Sequence, residues 1–327
     1  MVKFREFGWN GLFIEIPEEM RFTKYGGDAK SGHLIIEGEG CILEARWEPS
    51  SAKKAKPLTE VAESLIEQIK KKSKKRDIMI LGKDETHVSI HDALYVVVKS
   101  AIDEHIYIWY CQESKRIMIL HFLFKTFDES RKKVVKHMLD SLVCHRSESN
   151  IWSLLNVRFE IPVAFLLTEA KILAGRAHFM WTDRKLSSFS EKTTKILVEY
   201  FSMADVIYKN AYKNLDEWLE LYYLKDLCKK LGDRRVRFKA AESTHIKRHN
   251  ASFRQATIKS GLFSRKTTLY SNVTWYCSGM NRIYSVTIGS TNSRPALFER
   301  KVDKEAHTKF LENLLSSFEC HSTRAAI

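Results

Sequence analysis

The segment Thr86-His87-Val88-Ser89-Ile90-His91-Asp92-Ala93 returns as Thr244-His245-Ile246-Lys247-Arg248-His249-Asn250-Ala251. The echo extends outward from it. Phe13-Ile14-Glu15-Ile16-Pro17 answers Arg158-Phe159-Glu160-Ile161-Pro162, and Ser141-Leu142-Val143-Cys144-His145 answers Ser317-Phe318-Glu319-Cys320-His321. A chain that repeats its own order of elements is constrained to build one architecture twice. The expected organisation is two tandem α+β repeats, residues 1–146 and 151–327, each an antiparallel sheet covered by helices. The polar stretch Arg146-Ser147-Glu148-Ser149-Asn150 is the expected junction.

Periodicity fills in each half. Alternation ending in Pro17 or Pro162 marks a strand that stops before a turn. His33-Leu34-Ile35-Ile36 and His178-Phe179-Met180-Trp181 read as second strands, and Cys41 to Trp47 as a third in the first half. Leu58, Val61, Ala62, Leu65, Ile66 and Ile69 recur at three and four, one helical stripe with Pro57 before it. Its counterpart runs from Leu215 to Leu231 and stops at Gly232. Met79–Val88, Leu94–Ser100, Ile106–Cys111 and Arg116–Phe124 read as a meander with a tight turn at Asp103-Glu104. The matching arms are longer, Phe253–Ile258 and Leu269–Cys277. Closing helices carry Val134, Val135, Met138, Leu139 and Leu142 in one half and Phe310, Leu311, Leu314, Leu315 and Phe318 in the other. The second half has extra residues between Asp183 and Asn214, where a helix from Glu191 to Tyr208 is expected.

This order of elements resembles the PsbP-like fold family. The residues that carry the likeness are Ile14-Glu15-Ile16-Pro17, the turn at His91-Asp92-Ala93 and Leu314-Leu315-Ser316-Ser317-Phe318. The resemblance covers both halves and implies a mostly non-catalytic binder of other proteins, an adaptor or chaperone. No functional residue of that family maps onto this chain.

Charge points to another partner class. Fifty-four Lys and Arg against 40 Asp and Glu give a formal +14, which favours polyanions. Both helices of the 58–76 and 215–239 regions end in cations: Lys70, Lys71, Lys72, Lys74, Lys75 and Arg76, then Lys229, Lys230, Arg234, Arg235 and Arg237. Lys259, Arg265 and Lys266 sit at a hairpin tip. Helix-end cations also offset the negative helix terminus, each by less than about 1 kcal/mol. The expected function is a non-enzymatic, cytoplasmic module binding RNA, ribosome or another ribonucleoprotein through these cations. A protein-only adaptor is the alternative, and a metal-dependent enzyme at the Cys/His end a second one.

Four of the six cysteines follow the repeat. Cys111 in Trp-Tyr-Cys matches Cys277, and Cys144-His145 matches Cys320-His321. A strand of about 3.3 Å per residue leads away from Cys111, and a helix of about 1.5 Å per residue leads back, bringing Cys144 near Cys111. Cys320 approaches Cys277 likewise. Buried free thiols, the disulfides Cys111–Cys144 and Cys277–Cys320, and zinc held by His87 or His91 with Cys111, Cys144 and His145 all remain open, as does zinc at His249, Cys277, Cys320 and His321. No Cys-x2-Cys knuckle supports zinc, so the reading is no cofactor, with zinc as the reserve. No phosphate loop and no Gly-x-Ser-x-Gly elbow occurs, and no catalytic residue is assigned.

Overall fold

The computed structural model describes residues 2–50, 56–72, 78–188, 190–233, 235–260, 264–295 and 302–321. The chain divides into two units, Met1–Leu155 and Asn156–Ile327.

Unit 1 opens with the hairpin of β1 (Phe4–Trp9) and β2 (Leu12–Pro17). Its two-residue turn puts Asn10 at φ 50° and Gly11 at φ 82°, the left-handed pair that a tight hairpin needs. Then come β3 (Arg21–Gly27), β4 (Gly32–Gly38), β5 (Cys41–Pro49), α1 (Leu58–Lys72), β6 (Met79–Val88), β7 (His91–Lys99), β8 (Asp103–Cys111), β9 (Arg116–Phe124), α2 (Glu129–Asp140) and β10 (Ser149–Leu154). The antiparallel sheet has the order β3-β4-β5-β9-β8-β7-β6. One face takes α1, whose Ala62, Leu65 and Ile66 pack against Leu94, Val96, Val98, Ile106 and Ile108. Helix α2 starts where the Asp128 carboxylate accepts the Arg131 N–H, and it buries Val135, Met138 and Leu139. Each such side chain contributes about 1.5–3 kcal/mol.

Unit 2 contains β11 (Val157–Pro162), β12 (Leu166–Leu173), β13 (Arg176–Ser187), β14 (Ser190–Ser202), α3 (Ala204–Asn210), α4 (Leu215–Trp218), α5 (Leu224–Lys230), β15 (Glu242–Ile246), β16 (His249–Ser260), β17 (Ser264–Cys277), β18 (Arg282–Pro295) and α6 (Lys304–Ser316). Its sheet is β12-β13-β14-β18-β17-β16-β15, also antiparallel. Helices α4 and α5 are joined by the π-helical turn Leu219–Tyr223. Trp218, Leu219, Tyr223 and Leu227 from this stretch pack on Met180, Leu197, Phe201, Tyr270 and Ile283. Gly232, at φ 75°, ends it.

Several expectations need correction. The helix from Glu191 to Tyr208 is instead strand β14 followed by the short α3. Ile196 to Phe201 are all buried, and β13 and β18 satisfy the backbone of β14 on both edges. A strand buried on both faces loses its alternation, and an apolar run alone does not distinguish it from a helix. Asp103 and Glu104 lie inside β8, paired with Phe124 and Leu123, so the turn falls earlier. Ser149 and Asn150 begin β10, which pairs with β1 through Gly8 and Ser153, so unit 1 extends past the expected junction.

Candidate metal centres and a cation-rimmed groove

Three local features converge on one end of the unit 1 sheet. The turn between β6 and β7, with Ser89 at φ 53°, closes the pair Val88 and His91. Ala93 faces Trp109 across β7 and β8, and two residues further in that register His91 comes opposite Cys111. Past α2, the chain hydrogen-bonds to β2. The N–H of Phe13 donates to the Val143 carbonyl and that of Val143 to the Phe13 carbonyl, both at 2.8 Å. The N–H of Glu15 donates to the Ser141 hydroxyl at 3.0 Å. This clamp delivers Cys144 and His145 to the same end.

Unit 2 follows the same steps. Lys247 takes φ 51°, Ile246 pairs with His249, and Ala251 faces Trp275. Arg158 and Glu319 exchange backbone bonds of 2.9 and 2.7 Å, and the N–H of Glu160 donates to the Ser317 hydroxyl at 3.1 Å.

The result is two quartets, His91, Cys111, Cys144 and His145, and His249, Cys277, Cys320 and His321. Within each, one donor atom per residue lies within 4.8 Å of the others. The cysteines are buried and the histidines half-buried. In unit 1, Cys144 Sγ lies 3.2 Å from His91 Nε2 and 3.5 Å from His145 Nδ1, and Cys111 Sγ lies 3.2 Å from His145 Nδ1. In unit 2, Cys320 Sγ lies 3.2 Å from both His249 Nε2 and His321 Nδ1, and Cys277 Sγ 3.5 Å from His321 Nδ1. All six cysteines are free thiols, and of the open readings the disulfides Cys111–Cys144 and Cys277–Cys320 are not present. His87, the alternative donor, pairs with Asp92 on the exposed surface.

The surroundings prepare the donors. Hydrogen bonding from the Cys144 thiol pushes the Cys111 thiol down to about 4 against the opposing effect of burial, aided by the Ser114 amide and His145. Cys144 is correspondingly raised by that shared proton and by burial. Burial pushes Cys320 up to about 12. Burial also lowers His91 and His249, which favours the neutral ring over the charged one. The indole N–H groups of Trp109 and Trp275 are buried with no oxygen or nitrogen acceptor, and each favours the thiolate of the nearby Cys144 or Cys320.

The predicted anion-binding cations meet different surroundings. Lys70, Lys71, Lys229, Lys259 and Lys266 are exposed. Lys230 instead turns inward, pairing with the fully buried Glu199 and, at 3.2 Å, with Asp226. Arg176 completes this cluster through Glu199 and Asp226, and the Tyr223 hydroxyl donates to Glu199 at 2.7 Å. Arg235 is held by Asp233 at 2.9 Å. Arg237 donates to the Val236 carbonyl at 3.0 Å. Lys74, Lys75, Arg76 and Arg234 lie outside the described residues, as do the side chains of Lys72 and Arg265. No sequence pattern announces the Glu199 cluster, because a single glutamate in a strand looks solvent-facing.

Sequence reading also missed a groove of about 520 Å³ between α5 and the segment that follows it. Leu224, Cys228, Val236 and Phe238 line it, with Lys225, Lys229 and Arg237 around them. The N–H of Lys239 donates to the Gln255 carbonyl at 2.8 Å, fixing the segment to β16. The volume is that of an ordinary ligand site. Among the described residues, no helix is long and apolar enough to cross a membrane.

No family model and no curated protein matches the chain. Among solved structures, the chain is similar to PsbP-like proteins. Cyanobacterial PsbP from Synechocystis is 10% identical with a TM-score of 0.35, the match covering 44% of this chain and 94% of that one. The Ran-binding protein Mog1p of Saccharomyces cerevisiae is 11% identical with a TM-score of 0.33, covering 54% and 98%. The type VI secretion immunity protein TplEi of Pseudomonas aeruginosa, in its apo form, is 11% identical with a TM-score of 0.30, covering 98% of each.

Proposed function

We propose that the chain is a tandem of two like α+β repeats acting as a non-enzymatic protein-interaction module, with a docking groove in the second. The groove carries the reading. Its apolar lining and its cations, Lys225, Lys229 and Arg237, complement a peptide segment with one large apolar side chain between acidic residues. Lys225 and Lys229 are both exposed. The tandem reading is supported by the matched sheet orders and by the paired clamps at Ser141 and Ser317. The polyanion alternative keeps the +14 charge in its favour. It loses Lys230 to a buried pair with Glu199.

The test is fluorescence anisotropy with labelled nine-residue peptides, a central Phe flanked by Glu, the same Phe flanked by Lys, and a Glu-flanked Ala. The Glu-flanked Phe peptide should bind best. Lys225→Glu/Lys229→Glu should weaken it about tenfold or more, roughly 1.4 kcal/mol. Equal binding of all three peptides would overturn the proposal. Tighter binding of an RNA oligomer, falling steeply with salt, would restore the polyanion reading.

A further inference from the structure

We propose that each quartet is a structural Zn²⁺ site, with Cys111, Cys144, His91 Nε2 and His145 Nδ1 as ligands in unit 1 and Cys277, Cys320, His249 Nε2 and His321 Nδ1 in unit 2. With metal–sulfur bonds of about 2.3 Å and metal–nitrogen bonds of about 2.0 Å, a tetrahedron has sulfur-to-nitrogen edges of about 3.5 Å. The six close sulfur-to-nitrogen contacts lie between 3.2 and 3.5 Å.

The competing arrangement is a set of thiol–imidazole hydrogen bonds. One ring nitrogen has a single lone pair or a single hydrogen. Yet His145 Nδ1 contacts both Cys111 and Cys144, and His321 Nδ1 contacts both Cys277 and Cys320. One nitrogen facing two sulfurs fits donors aimed at a common centre. The hairpin histidine uses Nε2 and the Cys-His histidine Nδ1 in both units, so the donor atoms match one for one.

The donor set selects the metal. Two sulfurs and two imidazoles without a carboxylate suit zinc and exclude hard cations such as Mg²⁺ and Ca²⁺. Two thiolates neutralise Zn²⁺, so the buried site carries no net charge. The thiol protons leave to solvent as four metal–ligand bonds form. In each unit an indole N–H, Trp109 or Trp275, is buried without a hydrogen-bond partner.

The experiment is elemental analysis of the full chain after dialysis against metal-free buffer, followed by substitution with Co²⁺. Two zinc ions per chain are expected, together with the absorption of tetrahedral, thiolate-bound cobalt. Cys144→Ser should leave one zinc, and Cys144→Ser/Cys320→Ser none. A wild-type ratio of zero or one, iron in place of zinc, or two zinc ions retained by Cys144→Ser would overturn the proposal. The wild-type ratio and cobalt spectrum decide the matter even where a variant does not fold. Neither depends on the peptide groove.

Discussion

In unit 1 the carbonyl of the ligand-bearing Cys144 is held by a buried guanidinium. Arg116 donates to it at 2.7 Å and also to the carbonyls of Asn10 at 3.2 Å and Ala29 at 3.0 Å. In unit 2, Arg282 takes the matching place opposite Cys277, yet its guanidinium lies over the Tyr200 ring, 4.6 Å from the centroid. There the Cys320 carbonyl accepts the Tyr284 hydroxyl at 3.2 Å. The covering layers differ too. Unit 1 has the partly exposed pair Arg46 and Glu44 where unit 2 buries Glu199 under Tyr223 and Lys230. The same four donors are thus positioned by a charged anchor in one unit and a neutral one in the other. Each Cys carbonyl thus has a buried donor, and the donor's chemistry differs between the units.

The largest expected effect separates the covering layers. Glu199→Ala leaves Lys230 and Arg176 short of their buried partner and should cost about 4 kcal/mol in urea unfolding. Arg46→Ala in unit 1 should cost less than about 1 kcal/mol, because its pair is solvent-screened. Equal losses would erase the contrast. The anchors come next. Arg116→Met orphans three carbonyls and should cost about 3 kcal/mol, against about 1 kcal/mol for Tyr284→Phe, read by the same unfolding curves.

A pH effect should be common to both units. His105 contacts Tyr95 and Phe127, and His307 sits between Ser290 and Ser271. Burial pushes each down to about 4 from an ordinary 6.5. Between those values the unfolded chain binds protons that the folded chain refuses. The stabilisation is therefore complete above pH 6.5 and is lost as pH falls towards 4. His307→Gln should flatten this decline in thermal melts from pH 7 to 4, and a slope unchanged from wild type would count against a neutral buried ring. The smallest effect is the closest match: Ser141→Ala and Ser317→Ala should each cost about 1 kcal/mol, and unequal losses would show that the two clamps differ.

The clustering of Cys and His at one end of each unit was largely legible in the sequence. His91 and His249 open strands after matched turns, and Cys111 and Cys277 end the strands beside them. Their separation in sequence differs because the unit 2 arms, β16 and β17, are longer. The extra length lies away from the turn, so the His and Cys still meet. Travel along strand and helix placed Cys144 nearby, but choosing among thiol, disulfide and metal required the positions of His91 and His145. Other features left no sequence trace. Continuous burial hid β14, and one of the cations that looked like a phosphate-binding set, Lys230, is turned inward onto Glu199. The groove depends on residues 236–238 folding back toward α5, which no local pattern announces.

The clamp beyond each closing helix has a consequence for how the chain is made. The contact from His91 to Cys144 spans 53 residues, and that from His249 to Cys320 spans 71. On loop length alone, fastening the second costs only about 0.3 kcal/mol more than the first. Timing separates them instead: during synthesis, unit 1 has all its donors while unit 2 still lacks its final pair. A chain arrested after α6 but before Cys320 would hold one finished fastening and one that cannot close.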